Sequence, residues 1–62
     1  MHFAQTILQA NSFFKRGEIA AALKLYTDAQ RHLLFKEMLP ITNPQVNELQ
    51  QHRFACFRLL AT

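Results

Sequence analysis

Among 62 residues there is one glycine, one cysteine, two prolines, four acidic side chains and no tryptophan. Each shortage rules something out. One glycine cannot build a phosphate-cradling loop, which needs several to bring backbone N–H groups against an anion. A lone thiol, Cys56, excludes the disulfide framework that staples small secreted domains. It fits a reducing, cytoplasmic setting or a piece of a larger protein. No apolar run approaches the roughly 20 residues of a membrane span, and the first residues carry no basic leader. The four Asp/Glu show no paired spacing that compels acid–base work. A chain this short makes one domain, 1–62, burying only about 60% of its unfolded surface. It has little room to enclose an active-site pocket. The expectation is a protein that is not an enzyme and carries no cofactor.

What is present is apolar. Half the residues are hydrophobic and six are phenylalanine, ample for a core and contrary to disorder. The net charge of +3 invites a nucleic-acid reading. Its distribution argues against one. Lys15, Arg16, Lys24, Arg31, Lys36, Arg53 and Arg58 are dispersed and interrupted by Glu18, Asp28, Glu37 and Glu48, so no phosphate-tracking cluster forms.

The apolar spacing is helical throughout. Phe3, Ile7, Ala10 and Phe14 recur at intervals of four and three, one stripe of a helix over about 2–16. Gly17 ends it, because glycine takes left-handed geometry without steric cost. A second helix over about 18–38 presents Ile19, Ala22, Leu23, Tyr26, Ala29 and Leu33 inward. Pro40 stops it. Asn43-Pro44 then reads as an N-cap followed by proline at the first helical position. The third helix covers about 44–60, with Val46, Leu49 (or Gln50), Phe54, Phe57 and Ala61 as its stripe. Its stretch Phe54-Ala-Cys-Phe-Arg-Leu-Leu-Ala61 is apolar nearly all round. The fold expected is all-α: an antiparallel helical hairpin plus a third packing helix, a three-helix bundle.

The run Asn11-x-x-Phe14-Lys15-x-Gly17-x-x-x-x-Ala22-Leu23-x-x-Tyr26-x-x-Ala29 resembles a tetratricopeptide repeat, chiefly the co-chaperone type. Ala10, Ala22 and Ala29 match the small positions where the two helices of a repeat meet. Phe13 and Tyr26 match the bulky ones beside them. The match covers about residues 10–29. Outside it, Thr6 and Gln9 stand at early aromatic and leucine positions, and Leu34 stands at the closing proline. Co-chaperone repeats grip a C-terminal carboxylate with a Lys and an Asn on the first helix. Asn11 matches that Asn, whereas Ile7 occupies the Lys position. The stretch Ala22–Ala29 is also similar to microtubule-interacting and trafficking domains, three-helix bundles that take amphipathic helices in an interhelical groove. Some bacterial glycosyltransferases carry a comparable hairpin, which leaves a detached accessory domain open.

These resemblances imply a protein-interaction module that receives a protein or peptide partner. Asn11, Lys15 and Lys24 are its expected peptide-binding contacts, on the first helix and its crevice with the third. The apolar excess at Phe35, Phe54, Phe57 and Leu60 marks a candidate interface, with a homodimer as one occupant. His52 and Cys56, four apart, share a helix face and could supply two metal ligands. Zinc needs three or four, and with His2 and His32 elsewhere no metal site is expected. Cys56 within Phe-Ala-Cys-Phe is better read as a small core residue with a raised pKa.

Overall fold

The computed structural model describes residues 3–61. It holds three α-helices: α1 (Phe3–Lys15), α2 (Ile19–Arg31) and α3 (Pro44–Ala61). The chain is an all-α three-helix bundle. Helix α2 is central, and α1 and α3 both pack on it. Along α2, Gln30 meets Gln50 while Tyr26 meets His52. Partner numbers rise as α2 numbers fall, so α2 and α3 run antiparallel.

Gly17 closes α1 as its spacing requires. Its φ is +83°, the Glu18 N–H donates to the Phe13 carbonyl at 2.9 Å, and the Gly17 N–H donates to Phe14 at 3.1 Å. This is the paired closure of a Schellman turn, which satisfies carbonyls that a helix end would leave bare. The α1–α2 seam beyond it is made of small residues. Ala10, Ala22 and Ala29 are all fully buried, and without bulk between them the helices approach closely.

Helix α2 does not run regularly to residue 38 and is not ended by Pro40. It widens into a π-helical turn over His32–Lys36. The Glu37 N–H reaches back to the His32 carbonyl at 3.1 Å. Met38 then turns the chain with φ +56°. The Leu39 N–H donates to Leu33 at 3.0 Å, one residue further back than the ordinary Schellman bond, because the turn it closes holds one residue more. The stop is therefore a left-handed methionine two residues ahead of the proline.

Asn43 caps α3. Its side-chain Oδ1 accepts the Gln45 N–H at 2.9 Å and its carbonyl accepts the Asn47 N–H at 2.9 Å. The inward stripe of α3 differs from the one read from spacing. Val46, Leu49 and Cys56 are buried, while Phe54 and Phe57 stand about half exposed. Two apolar stripes share this helix, and the smaller side chains took the interior because α2 already fills the seam with Tyr26 and Leu33. Each fully buried Val or Leu contributes about 1.5–3 kcal/mol. Among the described residues, no helix is long and apolar enough to cross a membrane.

Candidate functional site

The core supports two seams of different character. On the α1 side, the Tyr26 hydroxyl donates a hydrogen bond to Asn11 Oδ1. The Tyr26 ring lies stacked on His52, centroids 4.9 Å apart and planes within 8°. Tyr26 thus ties all three helices through one side chain. Cys56 is fully buried. Burial pushes its thiol pKa up, and burial followed by the neighbouring Cys56 charge pushes the Tyr26 phenol up. Both groups are held neutral.

His52 and Cys56 share their helix face, as their spacing requires, but the face is spent on packing. His52 lies 3.9 Å from the Glu48 carboxylate. Among the described residues, no three His, Cys, Asp or Glu side chains converge on a point that could hold a metal ion. His2 lies outside the described residues.

The other seam, between α2 and α3, is polar at its centre. Gln30, 5% exposed, donates from Nε2 to Gln50 Oε1 at 2.7 Å and more weakly to the Val46 carbonyl at 3.4 Å. Arg53 donates from one terminal nitrogen to Gln30 Oε1 at 2.6 Å and to Gln50 Oε1 at 3.4 Å. Its guanidinium lies 5.6 Å from the centre of the Phe57 ring. The buried Nε of Arg53 has no hydrogen-bond partner, and no carboxylate of the described residues pairs with this cation. Orphaned N–H groups of this kind are uncommon in folded proteins and costly to keep.

Outside this seam two hollows lie along α3. One hollow, about 480 Å³, is walled by Leu34 and Ile41 on one side and by Asn47, Gln50 and Arg53 on the other. A second, about 560 Å³, follows one turn further along α3 and is lined by Gln51, Phe54, Phe57 and Arg58. From Asn47 to Arg58 the flank runs about 16 Å, three helical turns.

The candidate residues fall in different places. Asn11 is half-buried, with its oxygen committed to Tyr26. Lys15 is exposed one turn further along α1. Lys24 is exposed and sits two residues from each of Ala22 and Tyr26, so it leaves the opposite side of α2. The three lysine and asparagine positions are not brought onto one face. The α1–α3 crevice itself is a cleft of about 230 Å³ lined by Ile7, Glu48, Leu49 and His52, among others. Of the apolar candidates, Phe54 and Phe57 share the α3 flank. Leu60 follows one turn beyond Phe57, about half exposed. Phe35 stands apart in the π-helical turn that follows α2, beside Asp28, Arg31, His32 and Lys36.

Spacing placed Gln50 as an alternative to Leu49 on the stripe of the third helix but did not single out Gln30, Arg53 or Arg58. A signal was available for Gln30 and Arg53: a glutamine directly after the inward Ala29, and a Gln50–Arg53 pair at i,i+3 on the inward side of α3. Compared with known proteins, the chain matches no family model, no curated protein and no solved structure.

Proposed function

We propose that this chain is a non-catalytic protein-interaction module of tetratricopeptide-like type, and that it binds a helix or peptide of a partner protein along the outer flank of α3. The observation that carries the reading is where the exposed apolar surface lies. Phe54, Phe57 and Leu60 recur at intervals of three on a helix whose core positions are already filled by Val46, Leu49 and Cys56. Phe54 and Phe57 line a hollow on α3 next to the one at the α2–α3 seam, the kind of apolar surface on which an amphipathic helix lays its apolar face. The repeat-like character is supported by the glycine-closed hairpin and by the three fully buried alanines at its seam.

The test is a nitrogen-15 NMR titration of the chain with amphipathic helical peptides that share one leucine stripe and carry glutamate, lysine or serine beside it. Binding should shift the amides of Phe54, Phe57 and Arg58 with at least one peptide. A panel that leaves all three unmoved overturns the reading. The competing reading is a homo-oligomerisation or accessory scaffold domain using the same apolar flank. It is favoured if sedimentation gives a concentration-dependent dimer that Phe57→Asp dissociates.

A further inference from the structure

We propose that the partner laid on the α3 flank is an acidic amphipathic helix, its apolar stripe on Phe54 and Phe57 and its carboxylates on Arg53 and Arg58, and not a second copy of this chain. The inference rests on the interaction reading above and adds the chemistry of the partner.

Charge on the flank has one sign. Arg53 and Arg58 border the two phenylalanines, and all four acids of the chain lie elsewhere. Glu18 pairs with Arg16 at 3.3 Å at the α1–α2 turn. Glu37 lies 3.7 Å from His32 at the end of the wide turn. Glu48 sits beside His52 in the crevice that faces α1. Asp28 belongs to the outer face of α2, with Arg31 and Lys36, opposite the side on which Gln30 and Leu34 meet α3.

Arg53 is the sharper observation. A guanidinium offers five donors in a planar fork matched to a carboxylate. Among the described residues its bonds run from one terminal nitrogen to two neutral glutamine oxygens. The glutamines fix the side chain at the edge of the groove, with the Phe57 ring beside it. A cation held in place by neutral acceptors next to exposed aromatics is pre-organised for an incoming anion. Arranging it in advance lowers what association must spend on ordering.

The same charges disfavour self-association. In a two-fold contact through this flank, each patch meets itself. Arg53 and Arg58 of both copies would then be gathered into one contact, with no carboxylate of this flank to offset them. Juxtaposed like charges suppress such pairings, whereas an acidic helix reverses the sign.

The deciding experiment measures affinities of the glutamate-, lysine- and serine-flanked peptides by fluorescence anisotropy, at low and at physiological salt. The glutamate peptide should bind tightest and weaken as salt rises. Arg58→Glu, at an exposed position, should lower that affinity on the order of tenfold. It should also shift preference toward the lysine peptide while circular dichroism stays unchanged. Arg53→Gln serves as a second variant and should lower affinity for the glutamate peptide alone. Equal affinity for all three peptides would overturn the acidic partner yet leave the interaction module standing. No binding by any peptide, with a dimer abolished by Phe57→Asp, would overturn both in favour of a second copy.

Discussion

Asn11 and Tyr26 permit a sharp test, because removing either end of their hydrogen bond has a different expected effect. Tyr26→Phe deletes the hydroxyl but keeps the ring and its stack on His52. Asn11 is half-buried, so the expected loss is about 1 kcal/mol, the net worth of an ordinary hydrogen bond. Asn11→Ala leaves the hydroxyl behind. Tyr26 is 1% exposed, so its donor has no ready replacement, and an unsatisfied buried donor brings the loss to about 2 kcal/mol. With both changes together the orphan disappears, and the loss should return to about 1 kcal/mol. The double variant is then more stable than Asn11→Ala alone. For a domain of this size 1 kcal/mol corresponds to about 8 °C in Tm, well resolved by melts followed through far-ultraviolet circular dichroism. Urea midpoints supply the same cycle at constant temperature. If the double variant loses the sum of the two single effects, the Asn11–Tyr26 bond is not made in solution and the reasoning fails. The cycle also separates roles at Asn11. A purely ligand-contacting asparagine would leave the melting temperature unchanged.

Other expectations follow from the two left-handed positions and the buried thiol. A Cβ at Gly17 would meet nothing within 4 Å, so Gly17→Ala should cost about 1 kcal/mol through backbone conformation alone. Met38→Gly should raise stability by a comparable or smaller amount, since Met38 is 78% exposed and has little packing to lose. Opposite signs in urea midpoints support this; equal signs refute it. Stability should also decline as pH rises past about 8.5, the ordinary thiol value. There the unfolded chain releases the Cys56 proton while the folded chain, its thiol pKa raised by burial, keeps it. The folded state then binds more protons, so the unfolding free energy falls with pH until the folded thiol itself ionises. Tyr26 adds a decline of the same sign near pH 10. Urea midpoints flat between about pH 7 and 10 would refute it.

The hairpin was legible from residue types because its chemistry is local. Only glycine adopts φ near +83° freely, Asn-Pro marks a helix start, and alanines at Ala10, Ala22 and Ala29 leave room for a neighbour. Two things were hidden for non-local reasons. The end of α2 looked proline-controlled, yet the chain turns at Met38, a residue type with no left-handed preference, because the wide turn after Arg31 had already set the geometry. The facing of α3 was ambiguous because two apolar stripes fit its spacing. Choosing between them required knowing that Gln30 and Tyr26 would stand opposite. The candidate site inherited that ambiguity. Phe54 and Phe57 could be picked out as apolar excess, while Arg53 and Arg58 on either side of them looked like ordinary surface charge.

The π turn at His32–Lys36 also says where this chain could change length. A turn closed by i→i+5 bonds carries one residue more than an α turn over the same path. Deleting one residue there would restore regular helix without touching the alanine seam, the Asn43 cap or the packing of Val46 and Leu49. Inserting or deleting a residue inside α1 or α3 would instead rotate everything beyond it by about 100°, out of register with α2. The wide turn is thus a joint with slack, and it precedes α3, the helix whose flank we propose for a partner.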